Sequence, residues 1–313
     1  MRDETRYVHH AVRAAAGAIR EALAAGEDAA VVSADNSAMW AAAHLALGTG
    51  SEILAGDALP QLVELGGPLA ENEPMLGSIE MWVHMVAASR SGRHDPRANH
   101  TAIDAEMCAN DEGDFGARYA ARAMRAAGAR TVLWLHADRF AEQPAPPGAA
   151  RLIESMTAPL AAAGIRSILC FEGVVTKGWM PQITCPAGAR LVHLARYASP
   201  LDTAGAERPA GACTEDIARV KALAIAVAAG NGKDATGVIG EAEAKQLCDA
   251  SAGCARMLIG WTKAAVRQAS TVKLEWEDFE RNAPRAEQQH ALLACAESAE
   301  RTVRAMYENR RNL

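Results

Sequence analysis

Several short apolar runs of this chain end in side chains that can carry a charge or a proton: Asp35, Asp57, Asp111, Glu112, Asp114, His136, Asp138 and Glu172. Carboxylates that converge can hold a hard cation such as Mg²⁺ or receive a cationic substrate. A carboxylate beside an imidazole can also move a proton next to a carbonyl. Glu112, His136 and Glu172 are the candidates for moving that proton. Asp35, Asn36, Ser37 and Asp111 are the candidates for holding a ligand. The plain alternative is helix capping, since Asp, Asn and Ser oxygens accept from the free N–H groups of a first turn. Capping accounts for any one of these residues alone, and the repetition across several strand ends is what points to a site.

A basic loop, Arg90 to Thr101, precedes an apolar run at Ile103. In it Arg93 and Arg97 are the candidates for pairing with a phosphate or carboxylate. A solvated loop is the alternative. A second irregular stretch, Val174 to Arg190, carries Lys177, Trp179 and Cys185. A loop of that length at a strand end can close over a ligand. Cys185 has no neighbour in sequence that would lower its thiol pKa, so a nucleophile there is not expected. His44 follows Ser37 by two helical turns, and a packed helix-face histidine is the expected role.

The elements that must position these residues are legible as alternating strands and helices. Arg6 to Ala25 has helical apolar spacing, and Gly26 stops it. Ala29 to Val32 reads as a buried strand. Ser33 to Ser37 is a polar turn, and Ala38 to Leu47 a helix stopped by Gly48. Glu52 to Ala55 predicts a second strand, Leu59 to Leu65 a short helix, and Met75 to Ser89 a longer one. Strands are expected at Ile103 to Ala109, Thr131 to Leu135, Ile165 to Phe171 and Ala189 to Leu194. Helices running to Ala127 and from Ala149 to Ala163 lie between them. This alternation predicts an α/β domain over residues 1–200, a mostly parallel sheet with helices on both faces. Thr214 to Ala229, Glu241 to Ser270 and Ala286 to Asn309 predict an all-helical extension over residues 201–313. That extension would pack on the sheet or on another subunit.

Two windows, SADNSAMWAAAHLA and CANDEGDFGARYAARAMRAAGARTVLWLHA, resemble the sugar isomerase (SIS) family over about residues 5–140. That family binds phosphosugars on a flavodoxin-like sheet. The resemblance implies a Rossmann-like fold and an aldose–ketose type isomerase. Ser37 would help hold the phosphosugar at the first helix N-terminus. The second window departs from the pattern. Where the family carries Ser, Thr and Gly, this chain has Asn110-Asp111-Glu112-Gly113-Asp114, whose carboxylates repel a phosphate.

Composition narrows the remaining choices. The formal charge of −6 gives no electrostatic reason to expect nucleic acid. No apolar run reaches transmembrane length, and MRDETRYVHH does not resemble a signal peptide. The seven cysteines show neither zinc-site nor disulfide-framework spacing, so a reduced, cytoplasmic setting is expected. No G-x-G-x-x-G follows a strand, and no organic cofactor is called for. The expected partner is a small-molecule ligand. Alanine-rich helices favour a homo-oligomer. Two other functions use the same residues: a hydrolase or lyase in which the strand-end acids hold a divalent metal, and a ligand-binding or assembly protein without catalysis.

Overall fold

The computed structural model describes residues 10–34, 36–48, 62–65, 114–126, 129–134, 137, 157–171, 188–209 and 212–311. Its centre is a parallel sheet. Strands β1 (Asp28–Val32), β3 (Thr131–Trp134), β4 (Arg166–Phe171) and β5 (Ala189–His193) pair in the order β3-β4-β1-β5. Strand β2 (Leu62–Leu65) adds to the outside of β3. Every pairing is parallel, and β1 lies between β4 and β5.

A strand's side chains alternate between its two faces, and β1 shows why the sheet needs two covers. Ala29 and Val31 pack with helices α1 (His10–Ala24) and α2 (Asn36–Leu47). Leu133, Ile168, Cys170 and Val192 join them on that face. Ala30 and Val32 point the other way, with Trp134, Leu169, Phe171 and Leu191. That face is covered by α3 (Asp114–Ala126) through Ala120, Ala121 and Met124, and by helix α4 (residues 157–162) through Leu160. Residues Ala29 to Val32 are fully buried, which explains their uninterrupted apolar character.

The last third is helical, with α5 (Ala212–Gly230), α6 (Glu241–Ala250), α7 (Ala255–Gln268), α8 (Trp276–Glu280) and α9 (Ala286–Arg311). Helices α5 to α8 enclose their own core around Val220, Leu247, Leu258, Trp261 and Phe279. Helix α9 instead returns to the sheet, where Ala299, Val303 and Met306 fill the face opposite α1 and α2. The helical extension therefore supplies one cover of this chain's own sheet.

Three expectations are corrected. Leu62 to Leu65 is a strand, not the end of a helix, because its backbone pairs in register with Thr131 to Trp134. A partner strand outweighs the weak helical preference of so short a segment. Glu241 to Ser270 is two helices rather than one. The chain turns at Ala252 and Gly253, whose φ angles are +51° and +71°. A Cβ on Gly253 would stand 2.1 Å from the Tyr197 carbonyl oxygen, so glycine alone fits. Helix α2 begins at Asn36, so Asn36 and Ser37 form its first turn instead of the loop before it. Expected elements at Glu52 to Ala55, Met75 to Ser89 and Ile103 to Ala109 lie outside the described residues. Among the described residues, no helix is long and apolar enough to cross a membrane.

Candidate functional site

In a parallel sheet a ligand crevice forms where helices leave neighbouring strands toward opposite faces. At the carboxyl end of β1 the chain leaves into α2 on one face, while α3 and α4, which lead into β3 and β4, cover the other. The carboxyl end of β1 is tied to both neighbours. Ser33 N–H donates to Phe171 O at 3.1 Å, and Leu194 N–H to Val32 O at 3.0 Å. The Ser33 hydroxyl donates to Leu194 O at 3.4 Å.

A cavity of about 50 Å³ opens beside these residues. Its floor is Ser33, Ala34, His193 and Leu194, its walls are Ala38 of α2, Cys254 and Ala255 at the start of α7, and Cys295, Ala299 and Glu300 of α9. That volume admits a few waters or the inner end of a small ligand. Leu292, Ala296 and Gly253 complete a mainly apolar lining, from which the polar groups project singly.

Those polar groups are specific. Arg196 Nε donates to Glu300 Oε1 at 2.9 Å and Nη2 to Oε2 at 3.4 Å, while Nη1 donates to Ala252 O at 3.2 Å. One guanidinium thus joins the segment after β5 to α9 and to the turn before α7. Tyr197 N–H donates to Gly253 O at 2.9 Å and closes the same junction. His193, the last residue of β5, is 2% exposed. Its Nδ1 lies 3.0 Å from Asp202 O. Burial holds its pKa below 6.5, against the raising effects of the Asp202 carbonyl and the Glu300 charge.

Below this junction Asp216 is fully buried. It accepts from Arg208 at 2.6 Å, Arg219 at 3.1 Å and Ala198 N–H at 2.9 Å. These bonds outweigh burial and hold its carboxyl below 3.8. The cluster anchors α5 to the loop after β5. A wider opening of about 580 Å³ lies at the other end of β5, where Arg190 pairs with Glu27 at 2.9 Å and Glu21 at 3.5 Å. It is at the amino edge of the sheet, the side that parallel sheets do not use for ligands.

The residues singled out in the sequence are placed only in part. Asn36 and Ser37 stand in the first turn of α2, beside the cavity wall at Ala38. Asp35, Arg93, Arg97, Asp111, Glu112, His136 and Glu172 lie outside the described residues. His44 is buried and packs on Trp40 with ring centroids 4.0 Å apart and the rings tilted by 40°, the packed helix-face role expected of it. Among the described residues no group of three or more His, Cys, Asp or Glu side chains could hold a metal ion. Sequence reasoning missed His193, Arg196 and Glu300. For His193 the one signal was a polar residue inside the apolar run Ala189 to Leu194. Comparison with protein-family models and with curated proteins finds no match.

Proposed function

We propose that the protein binds a small sugar or sugar phosphate at the carboxyl edge of its sheet and isomerises it by proton transfer between adjacent carbons. The observation that carries this reading is the cavity between the carboxyl end of β1, the first turn of α2 and helix α9. The first turn of a helix offers N–H groups to an anion, and Asn36 and Ser37 occupy that turn. The phosphate would stand there, and the carbon chain would enter the cavity. Glu112, His136 and Glu172 remain the proposed carriers of the proton.

The likeness to the sugar isomerase family rests on two windows, of which the β1–α2 crossover and the helix and strand of the second, α3 and β3, lie among the described residues. The described strand order, with β1 between β4 and β5, differs from the 2-1-3-4-5 order of flavodoxin-like sheets. The crossover and its crevice support the reading, and the sheet order does not add to it.

The test is solvent deuterium exchange. Incubation with fructose 6-phosphate and other ketose and aldose phosphates in D₂O is expected to place deuterium at the carbon beside the carbonyl. No uptake from any of them would remove the isomerase reading.

A further inference from the structure

The crevice is uneven in what it offers a ligand. Arg196 is its cation, and all three of its nitrogens already donate within the protein. The Glu300 carboxylate that answers it can only accept. Glu300 answers its charge and three of its five N–H groups are engaged, which leaves Arg196 a weak attractor of an anion into the interior.

His193 is arranged differently. Along β5 Leu191 faces the α9 side, and Val192 and Leu194 face α1 and α2, so alternation turns His193 toward α9. A carbonyl oxygen can only accept, so the contact with Asp202 O fixes the proton on Nδ1. In the neutral ring Nε2 is then a bare acceptor. Among the described residues Nε2 has no hydrogen-bond partner. It is also not one of the buried side-chain atoms shut away from solvent without a partner. The residue lines the cavity. A nearly buried imidazole with one nitrogen locked and the other open to a crevice is a fixed receptor for a hydrogen.

We propose that His193 Nε2 accepts a hydroxyl hydrogen of the ligand, so that the inner crevice selects a neutral polyol or sugar body. The proposal rests on the sugar-binding reading and names the residue that reads the sugar. A carboxylate would set oxygen lone pairs against the Nε2 lone pair and the Glu300 carboxylate, and inorganic phosphate would bring its negative charge up to that carboxylate. A hydroxyl donates to either. An anionic group on the same ligand stays at the mouth, beside the first turn of α2.

The experiment is ¹⁵N NMR of the whole protein labelled at its histidine rings, with His193 assigned through its ring-to-backbone couplings. D-glucose, D-fructose 6-phosphate and inorganic phosphate are titrated separately. His193→Asn is the companion variant, because its amide keeps a donor near Asp202 and removes Nε2. Expected are an unprotonated Nε2 in the free protein and an Nε2 resonance that moves with glucose or fructose 6-phosphate but not with inorganic phosphate. His193→Asn should weaken binding of the sugars about tenfold. A proton on Nε2 in the free protein, or a resonance that no sugar moves, overturns the proposal. So does an Asn variant of unchanged affinity. Should that variant fail to fold, the wild-type resonance alone decides. If glucose moves Nε2 while no sugar phosphate exchanges deuterium, the histidine assignment stands and the isomerase reading falls. If exchange proceeds with Nε2 unmoved, the isomerase reading stands and the histidine assignment falls.

Discussion

Arg196 grips Glu300 with two nitrogens, Nε at 2.9 Å and Nη2 at 3.4 Å, in a wall where Glu300 is only 8% exposed. Such a pair is costly to break one partner at a time, because the survivor keeps its charge in a poorly hydrated place. Glu300→Ala is expected to lower unfolding free energy by about 3 kcal/mol in urea titration. The double replacement Arg196→Met with Glu300→Leu should recover most of that loss. If the single and double variants are equally damaged, the pair is not what holds α9 over the crevice.

The turn before α7 depends on close backbone approach. Gly253→Ala adds a Cβ 2.1 Å from Tyr197 O at a φ of +71°. A loss of about 3 kcal/mol, from left-handed strain plus the clash, is expected in thermal or chemical unfolding. Gly260→Ala is the control. It lies inside α7 with nothing within 4 Å of the new carbon, and it should stabilise by up to about 1 kcal/mol.

Acid should act in two steps. His193 and His10 both have folded pKa values pulled below 6.5, chiefly by burial. The unfolded chain therefore takes up protons first as pH falls, and stability drops from about pH 6.5 downward. Asp216 is held below 3.8, so its contribution is present above that value and is lost as pH falls through the folded pKa. His193→Asn should flatten the first step of a stability-against-pH curve. Asp216→Asn should flatten the second and lower stability at neutral pH. An Asp216→Asn curve parallel to wild type below pH 4 would contradict the assignment.

Thiol labelling maps the crevice from another direction. Cys213 is exposed, while Cys170 and Cys248 are buried, and burial foremost pushes the Cys248 thiol up to about 12. Cys254 and Cys295 both line the cavity. Among the cysteines of the described residues, alkylation read by peptide mass spectrometry should modify Cys213 first and reach Cys170 and Cys248 only on unfolding. A bound sugar should slow Cys254 and Cys295 and leave Cys213 unchanged. Equal slowing at all of them would mean general stabilisation, not occupancy of the crevice.

The legible parts of this fold are those fixed by local chemistry. Ala29 to Val32 followed by Asp35, Asn36 and Ser37 announces a buried strand and a helix start, and β1 and α2 are there. Thr131 to Trp134 and Arg166 to Phe171 show the same apolar continuity and are strands. What was hidden depends on contacts distant in sequence. Leu62 to Leu65 is a strand only because β3 lies beside it. The break at Gly253 follows from the approach of Tyr197. The site was hidden for a similar reason. His193 sits inside the run Ala189 to Leu194, so it reads as strand interior rather than strand end. Arg196 and Glu300 are 104 positions apart and become neighbours only when α9 returns to the sheet.

The most direct test is amide shift mapping of the labelled protein with D-fructose 6-phosphate. The account predicts the largest shifts at Ser33, Ser37, Ala38, Leu194, Arg196, Ala255 and Ala299, around the carboxyl ends of β1 and β5. Largest shifts around Glu21, Glu27 and Arg190 at the opposite edge of the sheet, or no shifts at all, would contradict it.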